Sequence, residues 1–518
     1  MSAPQERVHA AAGAPASLAS RAARSAAWSF AQNGVKHALS FLLFVALARL
    51  LDPHAYGLVA VCVAIITLAN VFMEQGLSDA LVQRRELEES HLVTAFWINV
   101  ASGAALAALL QVAAAPIALL VGQPDAAPIL RALSVLFVLN SLGGVPQALM
   151  QRRLQFRGLA IRMISSLAAG GAVGLALAYR GFGPWSLVGQ QITSAAVGAG
   201  VLWWASGWRP RGRPSLRHAR DLLGFGRHVM GVGLIDFMNR KSDDLIIGIF
   251  LGPVALGLYN VAYQMLTVLE QLVCKGFDAL ALSAFSRLQD DRPRIREALY
   301  ATAQLSSVFA FPVFLGAMVV AQDAVAGLLG PAWAASVPTL RILLATGLVH
   351  AVFHYHHAAF KACGSPGLSV RLGLVEAVVN VTAFLVVVRW GIEAMAAAYA
   401  ARAYLLAPLS LRALRETVGI SQATYLGKLW RPLLASGAMA LTVLALGQAL
   451  PESLGPAWRL SALVVAGVLA YPLWMRALFP ALFAELRQHA AMLRRNAGWA
   501  PAPSDAGVDT SPTRFQER

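Results

Sequence analysis

Between Asp236 and Asp244 the chain reads Asp-Phe-Met-Asn-Arg-Lys-Ser-Asp-Asp, five ionisable residues in a segment otherwise apolar enough to lie in a bilayer. On a helix advancing 100° per residue, Asp236, Asn239, Arg240 and Asp243 share an arc of about 100°, with Asp244 beside it and Leu234, Met238 and Leu245 opposite. A charge at the centre of a membrane helix costs roughly 2.5–3.5 kcal/mol, so five facing lipid would forfeit most of what the apolar neighbours gain. They must face protein or water. Two uses fit that demand. One is an internal ion-pair set, Asp236 with Arg240 and Arg240 with Asp244 at i,i+4, holding helices together. The other is a solvated cavity that handles a charged substrate.

Polar residues recur inside other apolar runs: Lys36 and His37 in the first, Tyr263 and Glu270 in the eighth, Arg341 and a histidine group in the tenth, Glu376 with Asn380 in the eleventh, and Arg402 in the twelfth. His350, His354 and His357 follow i, i+4, i+7 spacing, which suits a metal, a proton sensor or the lining of a polar cavity. Glu74, Asp79, Lys275 and Asp278 fall near span ends, where side chains snorkel to the headgroups. The three cysteines lack metal-ligand spacing, and no disulfide or zinc site is expected from them. No phosphate-binding G-x-x-x-x-G-K-[ST] loop is present, and no long loop carries the carboxylates a membrane glycosyltransferase needs, so an enzyme is not expected.

The elements that must position these groups are membrane helices. The 518 residues are 58% apolar and 13% charged, with a mean hydropathy of +0.60, and the apolar runs are too long for a soluble core. About fourteen of them are each long enough to cross ~30 Å. The net charge of +16 does not signal nucleic acid, because the basic residues lie between the runs. Roughly 31 of the 42 basic residues fall on one side of the expected membrane and about five on the other, which orients both termini to the cytoplasm.

Leu51-Asp52-Pro53-His54-Ala55-Tyr56-Gly57-Leu58 and Leu251-Gly252-Pro253-Val254-Ala255-Leu256-Gly257-Leu258 match at five positions, each in the turn between the first and second helix of its half. The expected architecture is therefore an all-α integral membrane protein of two six-helix bundles, related by a pseudo-two-fold along the membrane normal, plus two C-terminal helices. Its parts would be a cytoplasmic tail (1–26), the first bundle (27–206), a basic linker (207–225), the second bundle (226–413), two extra transmembrane helices (414–480) and a cytoplasmic tail (481–518).

From about Ala26 to Arg415 the chain resembles the polysaccharide flippase (Wzx-like) branch of the multidrug/oligosaccharidyl-lipid/polysaccharide exporter superfamily. The resemblance is carried by Ala48 to Leu58, Gly76 to Arg84, Ala148 to Phe156, Gly181 to Val188, and Asn239 to Asp243 followed by Leu245-Ile246-Ile247-Gly248. It implies a multi-pass exporter of the bacterial inner membrane. Such an exporter moves undecaprenyl-diphosphate-linked oligosaccharide by alternating access for exopolysaccharide, capsule or O-antigen assembly, alongside polymerase and chain-length components.

On that resemblance Arg240 and Lys241 would meet the diphosphate or acidic sugars. Asp236, Asn239, Lys36, His37, Arg341 and Arg402 would line the cavity. Asp243, Asp244, Glu270, His350, His354, His357 and Glu376 are the coupling candidates, with a proton or sodium ion as coupling ion; no other cofactor is implied. Only Arg240 and Asp243 match the family pattern residue by residue, and the histidine-rich tenth span departs from it. The alternative is a drug–cation antiporter of the same superfamily, whose cavity should be dominated by carboxylates.

Overall fold

A computed structural model of the chain describes residues 36–74, 77, 81–82, 84, 87–273, 285, 291–451 and 453–496. Asp79, Lys275, Asp278 and the tail 1–26 lie outside them. Every regular element among the described residues is a helix. The first half holds α1 (36–50), α2 (Pro53–Glu74), α3 (Glu89–Leu120), α4 (Ala126–Leu133), α5 (Val135–Arg152), α6 (Phe156–Tyr179) and α7 (Pro184–Ser206). The second holds α8 (Leu216–Arg240), α9 (Ser242–Phe250), α10 (Gly252–Val273), α11 (Arg292–Ala324), α12 (Val337–Phe353), α13 (His356–Ala362), α14 (Pro366–Val387) and α15 (Ile392–Val418). Then come α16 (Gln422–Ala449), α17 (Pro456–Leu478) and α18 (Pro480–Asn496).

Ten stretches among the described residues are long and apolar enough to cross a membrane, and the chain is a multi-pass membrane protein. Residues 216–225, expected in the linker, already belong to α8. α16 and α17 pack outside the second half against α11, through Val320, Met439, Val443 and Leu463.

The repeated turns fold alike for local reasons. Asp52 accepts the Ala55 N–H at 2.7 Å and caps α2, with Pro53 in the first helical position. In the second copy Gly252 takes φ +82 before Pro253, a conformation that penalises a Cβ. The two copies then meet. A Cβ on Gly57 would overlap the carbonyl oxygen of Pro253, and one on Gly257 would overlap that of Pro53. Exchanging the halves maps this contact onto itself, as a two-fold axis between α2 and α10 requires.

Around it the halves are stitched by backbone acceptors. Arg49 donates to Gly327 and Leu328 carbonyls, and buried Trp333 donates Nε1–H to the Ala48 carbonyl at 2.8 Å. Tyr56 meets the Trp333 ring edge-on at 5.3 Å. The turn end of the molecule is therefore closed by close backbone approach across the halves.

Candidate substrate site at a broken helix

The 226–252 segment is not one continuous helix. α8 stops at Arg240, Lys241 takes φ −138 and ψ −3, and α9 begins at Ser242. The break has a local electrostatic logic. Arg240 and Lys241 place cations on the C-terminal turn of one helix, and Asp243 and Asp244 place anions on the N-terminal turn of the next, each favoured by the helix dipole.

The freed carbonyls at the end of α8 find donors, as they must away from water. Ser242 Oγ donates to the Met238 carbonyl at 2.6 Å, and Asn380 Nδ2 on α14 reaches the Met238 and Asn239 carbonyls at 3.4 Å. Asn239 Nδ2 donates to the Gly373 carbonyl at 3.0 Å, so α14 clamps the break at two points.

The break sorts the five charges into two groups. Arg240 Nε pairs with Asp236 Oδ1 at 2.8 Å while the side chains remain 69% and 64% exposed. Such an open pair stabilises by about 0–1 kcal/mol, so an incoming anion can take the guanidinium from its partner at little cost.

Beyond the break the environment reverses. Asp243 and Asp244 are buried, contrary to their expected place on or beside the wet arc. Lys241 Nζ pairs with Asp244 Oδ2 at 2.7 Å, replacing the Arg240–Asp244 pair expected of a continuous helix. Asp244 Oδ1 also accepts from Asn260 Nδ2 at 3.4 Å. Asp243 accepts from the Tyr259 hydroxyl at 3.0 Å and from the Asp244 backbone N–H at 3.0 Å. Removing one member of a buried pair costs about 3–5 kcal/mol, so this group joins α9 to α10 rather than exchanging partners with a substrate.

Further into the second half, Glu270 Oε1 and His350 Nδ1 stand 2.7 Å apart and half-buried. The Tyr263 and Tyr399 hydroxyls are 3.4 Å apart beside them. Arg402 is buried, 3.6 Å from Glu376, with its guanidinium 5.0 Å above the Tyr399 ring. The histidines do not form one helical stripe, because a turn at His354–Tyr355 separates α12 from α13. His354 and His357 are exposed, whereas His356 is buried between Ser410 Oγ at 2.6 Å and the Tyr425 hydroxyl at 3.0 Å, a packing role. Arg341 is exposed near the start of α12, some nine residues and about 13 Å from His350. Lys36 and His37 are half-buried at the start of α1.

The sequence profile of the family described as polysaccharide biosynthesis protein matches residues 46–338, which include both repeat turns and the broken helix. The chain belongs to that family. The chain is 33% identical to the succinoglycan biosynthesis transport protein ExoT of Rhizobium meliloti (strain 1021). That alignment covers 62% of this chain and 65% of the relative, just under two thirds of its length. It is 28% identical to the lipopolysaccharide biosynthesis protein WzxC of Escherichia coli (strain K12), over 65% of this chain and 69% of that one. With the teichuronic acid biosynthesis protein TuaB of Bacillus subtilis (strain 168) it shares 25% identity over 78% and 84%.

Among solved structures, the lipid II flippase MurJ in an inward closed conformation superposes with a TM-score of 0.73 at 12% identity, covering 87% of this chain and 98% of that one. An inward-facing multidrug resistance MATE family transporter of the MOP superfamily gives 0.60 at 14% identity, over 73% and 94%. At these identities the likeness is one of fold.

Sequence reasoning singled out Tyr263 but passed over Tyr259 and Tyr399. It also missed the break, although Arg-Lys followed by Ser-Asp-Asp is a stop-and-start signal for helices. The flanking apolar residues concealed it.

Proposed function

We propose that this polysaccharide biosynthesis protein is a flippase of the bacterial inner membrane. It carries an undecaprenyl-diphosphate-linked oligosaccharide from the cytoplasmic to the periplasmic leaflet for exopolysaccharide, capsule or O-antigen assembly. The observation that carries the reading is the exposed guanidinium of Arg240, held at a helix break by a carboxylate it can release. An arginine fork matches diphosphate oxygens bidentately, and a site at a discontinuous helix between paired halves suits alternating access. The relatives, a succinoglycan biosynthesis transport protein and a lipopolysaccharide biosynthesis protein, and the fold shared with a lipid II flippase support the same substrate class.

A drug–cation antiporter would need carboxylates free to meet a cation. Here Asp236, Asp244, Glu270 and Glu376 each face a basic partner.

Arg240→Ala should abolish surface polysaccharide while the protein persists in the membrane, and Arg240→Lys should retain part of the activity as a point charge without the fork. Normal polymer in Arg240→Ala cells removes Arg240 from the site.

The Glu270–His350 pair is the coupling element of this reading, in place of the buried Asp243 and Asp244. Transport into vesicles should then respond to an imposed proton gradient, and Glu270→Gln should abolish that response. Wild-type transport indifferent to the gradient rejects proton coupling.

A further inference from the structure

At the end opposite the repeat turns, the first turn of α3 and the first turn of α8 bring together three side chains that the substrate site does not use. We propose that Glu88, His91 and His218 bind a divalent transition cation of the zinc class. One ligand atom from each lies within 4.8 Å of the others. The two imidazole rings are 4.1 Å apart at 43°, and His218 Nε2 is 3.9 Å from Glu88 Oε2.

The His218 imidazole has bonding capacity to spare: Nδ1 is buried with no hydrogen-bond partner among the described residues, while Nε2 is the nitrogen that faces Glu88. Two imidazoles and a carboxylate are a donor set zinc accepts at about 2.0–2.2 Å, with the remaining tetrahedral position open to water.

Ligands on one such ion stand about 3.3 Å apart, so the present spacing must tighten. Glu88 can supply most of that movement, because its side chain is 69% exposed; the movement gives up the bond that Oε2 accepts from Ser90 Oγ at 3.0 Å. His91 is already oriented by its Nδ1, which accepts the Glu88 backbone N–H at 3.3 Å. Ligation by either His91 nitrogen gives up that long bond, so loading trades a weak helix-capping contact for coordination.

The position gives the site a consequence. His218 lies three residues after Ser215, whose N–H donates to Thr94 Oγ1 at 3.0 Å, and Trp208 Nε1 donates to Glu89 Oε1 at 2.8 Å. A cation held by Glu88, His91 and His218 would fasten α8, the helix that leads to the Arg240 break, to α3 of the other half. The binding claim is independent of the substrate reading.

The full chain, purified without a histidine tag and stripped by a chelator, should bind one equivalent of zinc in competition with a chromophoric chelator. Cobalt should give the strong visible absorption of a tetrahedral site. His91→Ala and His218→Ala should each weaken zinc binding at least tenfold, and Glu88→Gln, at an exposed position where the amide oxygen can still accept from Ser90, should weaken it measurably. His218→Cys should restore cobalt binding with a thiolate charge-transfer band. Wild-type protein that binds no more zinc than a His91→Ala/His218→Ala double variant overturns the proposal. So does cobalt absorption indifferent to both Glu88→Gln and His218→Cys.

Discussion

The turn end of the molecule and the helix break some 11 residues away, about 16 Å along the helix, join helices by opposite means. At the turn end the halves touch through glycines, proline carbonyls and the indole of Trp333, with little room and, among the described residues, no charge pair at the glycine crossing. At the break the chain interrupts its own helix, satisfies the loose backbone groups with Ser242 and Asn380, and leaves one arginine open. Close backbone packing suits a surface that must shut completely and separate again, because its stabilisation depends on contact distance and vanishes when the halves part. The break has a different task. Its buried Lys241–Asp244 pair stabilises the bend, while the exposed Asp236–Arg240 pair is cheap to disrupt.

The sharpest way to break that contrast is to enlarge Gly57. Gly57→Leu drives a side chain into the Pro253 carbonyl, at a cost of about 3 kcal/mol, or roughly a hundredfold against the closed turn end. Transport should fall by a similar factor, and an Ala48→Cys thiol, buried in the wild type, should become reactive to an impermeant reagent. Unchanged labelling would mean that the crossing does not control closure.

Next in size is Asp244→Ala, which strands Lys241. The loss should be about 2–3 kcal/mol, below the range for a fully buried pair because Lys241 keeps about a third of its surface. Thermal unfolding in detergent should show it as a lowered midpoint, whereas Arg240→Ala should stay within about 0.5 kcal/mol of wild type although transport is lost. If the two variants were equally destabilised, the division of the five charges into structural and substrate-facing groups would fail.

The smallest effect belongs to Asn380→Ala, which removes two long bonds to the end of α8. It should cost about 1 kcal/mol and show as faster amide exchange at residues 238–242.

Much of this was legible from residue order. The apolar runs establish the helical membrane class, and the Leu-x-Pro-x-Ala-x-Gly-Leu repeat marks the two turns that the structure brings into contact. The Asp236–Arg240 pair follows from i,i+4 spacing alone. The rest depended on neighbours distant in sequence. A continuous helix through Lys241 would pair Arg240 with Asp244, and helical periodicity carries no record of Asn380 and Gly373 waiting on α14 to complete a break. The histidine stripe failed for a similar reason, since Ser410 and Tyr425 draw His356 inward beside the turn at His354–Tyr355.

Hydrophobic patterning and local spacing thus determined that the chain threads a bilayer, that one turn motif at 51–58 recurs at 251–258, and that its ionic chemistry centres on residues 236–244. These are properties of single segments, whose free energy depends on transfer from water and on contacts one helical turn away. Which of those charges is open, which is locked, and how the copies of the turn interlock were decided only in three dimensions. Desolvation and close packing act between side chains and backbones well beyond one helical turn apart, from Tyr259 on Asp243 to Asn380 on the end of α8 and Gly57 on Pro253.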